Sequence, residues 1–186
     1  MRIKRGLTLM ELIIVLAIMS MILATISLFF FTSLNTLNKT QTNVDLRSNG
    51  QLALDFITRK VIDASVVTQI VGADASDNSA SPSIQDYIAT NTPVKITRLL
   101  IKKVSSEGVE TGNIFEVGSH KLYYLPKLTG STEDTTPIAD YIEYIKIAPL
   151  PSTSNYSNAA GIQIEVSLKS GSQVITLSSN VQFRNH

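Results

Sequence analysis

From residue 12 to residue 31 the chain is an apolar run interrupted only by Ser20, Thr25 and Ser27, and between Arg5 and Lys39 the only charged side chain is Glu11. Twenty helical residues rise about 30 Å, the thickness of a bilayer's hydrocarbon core. A run of this length must lie in lipid or against other apolar helices. The three hydroxyls are compatible with either place, because each can bond back to its own helix backbone. Arg2, Lys4 and Arg5 precede the run. Basic residues stay on the cytoplasmic side, so the pattern predicts one span, residues 12–31, with the amino end inside and the rest outside. A cleaved secretory signal fits poorly. Its apolar region is roughly 7–15 residues and ends at a small-x-small site, whereas residues 29–34 read Phe-Phe-Phe-Thr-Ser-Leu.

The remaining composition narrows the function classes. Of sixteen basic residues, three stand before the apolar run, and without them thirteen remain against fifteen acids, a net charge of −2. That is not the basic surface nucleic-acid binding requires, so no nucleic-acid partner is indicated. The absence of cysteine excludes a disulfide framework and a thiolate metal site. A chain of 186 residues holds one ordinary domain and an appendage.

Glu11 needs its own account. A carboxylate at a helix centre costs about 2.5–3.5 kcal/mol on insertion scales, so an acid inside a span reads as functional. Near the cytoplasmic end snorkelling lowers that cost. Its setting is Arg5-Gly6-Leu7-Thr8-Leu9-Met10-Glu11, followed directly by the apolar run. This resembles the class III signal of type IV prepilins and of the pseudopilins of type II secretion. The resemblance implies a prepilin peptidase cut between Gly6 and Leu7, N-methylation of Leu7, and Glu11 as the fifth residue of the mature chain. Gly6 suits a scissile position because it brings no side chain into a protease cleft. The family most often has phenylalanine after the cut, and Leu7 departs from that. The resemblance also implies that the new amine on Leu7 meets the glutamate of a neighbouring subunit. An ammonium and a carboxylate each relieve the other's desolvation, and a subunit in wrong register leaves a charge unpaired. The plainer reading is that Glu11 caps and favourably charges the helix start. The two are compatible.

After residue 31 the chain turns polar without proline or glycine up to Asn43. Leu46, Gly50, Ala53, Ile57, Val61 and Ala64 then recur at three and four residues, the stripe of an amphipathic helix, broadened by Leu54, Phe56 and Ile62. The expectation is one helix over residues 7–71, nearly 100 Å at ~1.5 Å per residue. Residues 1–6 are read as leader, 12–31 as membrane or filament core, 32–71 as a stem, and 72–186 as a β-rich head.

Residues 73–83 read as a loop. A Ca²⁺ site built from Asp74, Asp77 and Asn78 lacks the EF-hand spacing and its closing glutamate, so a solvated loop is the better reading. Beyond it, strands are expected at 94–104, 113–117, 121–125, 141–147, 162–168 and 173–177, with a short last one at 181–183. The pair around Lys169-Ser170-Gly171-Ser172 reads as a hairpin. A long helix on a mostly antiparallel sheet is α+β, the pilin-like arrangement.

Residues 51–59 and 177–185 are similar to the stem and last strand of PilW-type minor pilins and J-type pseudopilins. Partners implied by the resemblance are a prepilin peptidase, other pilin or pseudopilin subunits, the inner-membrane assembly platform and membrane lipid. The implied location is the membrane and then a pilus or pseudopilus at the cell surface. No cofactor is called for. The competing reading is a single-pass surface-binding protein without a filament role. An enzyme has little support: no GxSxG, HExxH, P-loop or dinucleotide fingerprint occurs. The two histidines, His120 and His186, fall in a turn and at the terminus.

Overall fold

The computed structural model describes residues 8–74, 84–104, 110–125 and 136–184. The chain divides into two compact units, Met1–Thr42 and Asn43–His186. Helix α1, Leu9–Ile62, begins in the first and ends in the second.

In the first unit α1 presents an exposed surface that is almost wholly apolar up to residue 31. The hydroxyls on it are turned inward to the helix. Thr25 Oγ1 donates to Met21 O, Ser27 Oγ to Leu23 O and Thr32 Oγ1 to Leu28 O, each at 2.9 Å, and Ser20 Oγ donates to Ala17 O at 2.8 Å. The same back-bonding continues through Thr36, Thr40 and Thr42. No hydroxyl in the apolar stretch depends on water.

In the second unit the expected stripe is the buried one: Leu46, Gly50, Ala53, Ile57 and Val61 are the helix's buried residues, with Ala64 just beyond its end. The helix stops at Ile62 rather than at residue 71. Residues 66–71 are β-branched at every position but Gln69, and Val66–Asp74 forms strand β1. Such side chains lose rotamer freedom in a helix and pack well on a pleated surface. The sequence misleads here because buried Val67 and Ile70 follow Ala64 at three-residue steps, prolonging a helical spacing into a strand. The last turn is closed from elsewhere: Ala64 N donates to Val61 O and Arg184 N to Ile62 O, both at 3.0 Å, so carbonyls left open at the helix end are satisfied.

Eight more strands follow: β2 (Gln85–Asp86), β3 (Val94–Val104), β4 (Glu110–Gly118), β5 (Lys121–Leu125), β6 (Thr136–Asp140), β7 (Ile142–Leu150), β8 (Gly161–Ser170) and β9 (Gln173–Gln182). All pairings are antiparallel, in the order β6-β5-β4-β3-β7-β8-β9, with β1 on β3 and β2 on β1. One edge of β3 serves two neighbours: residues 94–96 pair with β7 and residues 98–104 with β4. Tyr141 alone, at φ +66°, joins β6 to β7. Those two features curl the sheet. Strands β3 and β5 have the expected bounds, and β4, β7 and β8 overlap theirs. The expected strands at 173–177 and 181–183 are one strand, β9. Three strands were not expected from the sequence: β1, most of which falls in the expected helix, the two-residue β2, and β6, which lacks any alternation and carries Pro137.

Tight turns follow their φ requirements. Ser119 (φ +50°) and His120 (φ +59°) form the two-residue link of β4 and β5, where a type I′ turn needs positive φ at both centres. In the expected hairpin, β8 to β9, Gly171 at φ +58° does the same for the first centre. The core joins the helix stripe to Leu99, Ile101, Phe115, Leu122, Ile145, Ile164 and Leu168 among others. Phe56 meets the ring of Tyr124 edge-on at 5.0 Å and that of Phe115 at 6.3 Å, contacts worth about 0.5–1.5 kcal/mol each beyond area.

Candidate functional site

The chemistry-bearing part of the described chain is the start of α1. Thr8 stands just before the helix and Glu11 in its first turn. Thr8 N–H donates to Glu11 Oε2 at 2.9 Å, and Thr8 Oγ1 donates to the same oxygen at 3.0 Å. In return Glu11 N–H points to Thr8 Oγ1 at 3.3 Å, and Leu12 N donates to Thr8 O at 3.2 Å. This is a capping box, in which the cap hydroxyl and the third helical residue's carboxylate satisfy each other's backbone amides. It also places negative charge at the positive end of the helix dipole. Both bonds to the carboxylate use Oε2; no described residue bonds Oε1.

The sequence reading anticipated that Glu11 charges and caps the helix start, but it passed over Thr8. The signal was present as Thr8-Leu9-Met10-Glu11, the T-x-x-E pattern before an apolar run. Gly6, Leu7, Arg2, Lys4 and Arg5 lie outside the described residues, as do Asp77, Asn78 and His186. Asp74 is the last residue of β1. Among the described residues no three His, Asp or Glu side chains are grouped as a metal ion would need. His120 sits in the β4–β5 turn with Nδ1 3.3 Å from Ile142 O.

From Leu9 onward the helix is long and apolar enough to cross a membrane, and none of its most apolar window is buried within the chain. It carries Glu11 at its head and, up to Lys39, no other charge. A carboxylate organised by its own helix cap thus stands at the start of an exposed apolar helix.

Residues 1–27 match the family model of the prokaryotic N-terminal methylation motif. The chain thus carries the class III signal of type IV pilin-like proteins, on an α+β pilin-like arrangement of one long helix and a curled antiparallel sheet. No curated protein and no solved structure matches the chain.

Proposed function

We propose that this chain is a prepilin: a membrane-anchored subunit cut between Gly6 and Leu7 by a prepilin peptidase, methylated on Leu7, and assembled with other pilin-like subunits into an extracytoplasmic filament. The observation that carries the reading is the methylation motif over residues 1–27, running straight into a helix whose apolar side chains are exposed among the described residues. Lipid covers such a helix before assembly, and the helices of neighbouring subunits cover it afterwards.

Glu11 serves two purposes in this scheme. Through Oε2 it closes the cap of its own helix, and Oε1 receives the Leu7 amine of a neighbouring subunit. The pair acts on register, because a mismatched neighbour leaves a buried charge without a partner. The long second unit and the similarity of residues 51–59 and 177–185 to minor pilins and pseudopilins favour a subunit placed at the start or tip of the filament.

The test is the mass of the mature amino terminus after co-expression with and without a prepilin peptidase. A peptidase-dependent start at Leu7 is expected, with Arg2, Lys4 and Arg5 removed in the leader. An intact Met1, or a cut beyond residue 31, would return the chain to an ordinary anchored or secreted protein. Glu11→Gln is expected to insert and be cut but to enter filaments poorly; normal incorporation would remove the register role.

A further inference from the structure

Three connections far apart in sequence meet in the second unit and line a cleft of about 470 Å³. They are the β4–β5 turn at Ser119 and His120, the β6–β7 corner at Tyr141, and the β8–β9 turn at Gly171. The volume lies within the ~300–1,000 Å³ of small-molecule sites. Backbone bonds stitch the connections together: Ile142 N donates to His120 O and Lys169 N to Tyr141 O, both at 2.9 Å. Asp140 N donates to Asn49 Oδ1 at 3.1 Å, which ties the corner to α1. Lys121 and Asp140, opposite each other on β5 and β6, form an ion pair at 3.0 Å. The walls are thus set before anything enters, and a preformed site binds without the cost of ordering itself.

Tyr141 stands out among the lining residues. The described residues with positive φ, Ser119, His120, Tyr141 and Gly171, all line this one cleft. Three of them serve two-residue hairpin links, where positive φ is required. Tyr141 does not, and a bulky residue at φ +66° is held against its steric preference. Glycine or asparagine would hold such a corner at lower cost. Packing does not repay the difference, because Tyr141 is 42% exposed. What tyrosine brings to the corner is an aromatic ring at the cleft, and backbone strain of this kind collects at ligand sites.

The charges restrict what the ligand is. Each lysine of the cleft has a carboxylate beside it, Asp140 for Lys121 and Glu143, at 3.3 Å, for Lys169. An entering anion meets the carboxylates and an entering cation meets the ammonium groups, and like charges brought together are penalised. A neutral molecule rich in hydroxyls escapes both. It finds ammonium donors and carboxylate acceptors side by side, with the Ser119 and Ser170 hydroxyls serving as either. An apolar face on the same molecule would cover the ring of Tyr141. A sugar has both features, hydroxyls around its edge and C–H groups on its face.

We infer that this cleft binds a neutral saccharide, one sugar ring lying on Tyr141 and its hydroxyls shared between the Lys121–Asp140 pair and Lys169. The inference concerns the second unit and does not depend on amino-terminal processing.

The test is an amide chemical-shift titration of the full chain in phosphocholine micelles, which carry no sugar headgroup. The probes are maltotriose and N-acetylated chitotriose, both neutral, the same chitotriose without its acetyl groups, a cation, and trigalacturonate, an anion. Saturable shifts at His120, Tyr141 and Gly171 are expected with a neutral trimer and not with the charged ones. Tyr141→Asn is expected to weaken that binding about tenfold, with Tm level or raised because asparagine tolerates the corner. Tyr141→Phe, which keeps the ring, is expected to bind as the unmodified chain does. No saturable shift at the cleft with either neutral trimer, or tighter binding of a charged one, would overturn the inference. So would undiminished binding by Tyr141→Asn, or a lower Tm in that variant, which would make the ring a packing element. A response only to added polypeptide would overturn the saccharide as occupant.

Discussion

Tyr156 lies in the connection between β7 and β8, and its ring is fully buried. Its hydroxyl is 2.8 Å from Ile147 O and 3.0 Å from Thr92 O, so one phenolic proton is shared between β7 and the segment entering β3. Tyr156→Phe keeps the ring and removes that proton, leaving two carbonyls in the interior without their donor. An unmet buried polar group costs about 1–3 kcal/mol. With an unfolding entropy of about 2.1 cal/mol/K per residue, a second unit of this size loses about 3 °C per kcal/mol, so Tm falls by about 3–10 °C. The assay is thermal unfolding of the full chain in detergent, followed by near-ultraviolet dichroism. Alkaline pH adds a check with a definite sign. Burial pushes the Tyr156 phenol well above its ordinary value, only partly offset by the Val94 backbone amide. A raised folded value means the stabilisation is complete below the unfolded value near 10 and declines as pH rises above it. At pH 11, above the unfolded value, the unmodified chain has lost part of a stabilisation that the phenylalanine variant never had. The gap between the two therefore narrows from pH 9 to pH 11. Equal melting temperatures at neutral pH, or a gap that does not change with pH, would refute this account of the loop.

Ile57→Ala empties a site on the helix stripe that is 1% exposed; a loss of about 2–5 kcal/mol is expected in the same assay. Gly50→Val is expected to destabilise by about 1–3 kcal/mol through overpacking, because a Cβ at Gly50 stands 2.7 Å from both Leu168 Cδ1 and Leu177 Cδ1. Restored stability when Leu177→Ala is added would locate the clash. Thr8→Ala removes the cap hydroxyl and is expected to cost the helix start about 0.5–2 kcal/mol, read as faster amide exchange in micelles at Glu11 and Leu12, whose N–H groups bond Thr8 Oγ1 and Thr8 O. An unchanged exchange rate there would mean the capping box does not hold the helix start.

Several features were legible because they depend on neighbours in the chain. The apolar run declares its surroundings by length alone. Arg5-Gly6-Leu7-Thr8-Leu9-Met10-Glu11 is a local word, read without knowing anything downstream, and the same stretch contains the T-x-x-E cap. The stripe from Leu46 to Val61 is a matter of 3.6-residue geometry, and it is the buried face. The hairpin at Gly171 follows from a two-residue link flanked by alternating strands.

What only the tertiary structure decided rests on partners far away in sequence. Val67 and Ile70 prolong the helical spacing although the β-branched residues around them suit a strand, and the decision comes from β3, about thirty residues on, which supplies the ladder. Nothing near Thr136 marks β6 as a strand; β5 makes it one. The division of β3 between β4 and β7, and the single-residue corner at Tyr141, arise from closing a curled sheet. Local spacing and charge act over a few residues and can be read along the chain, whereas strand pairing is a choice among distant segments that packing alone resolves.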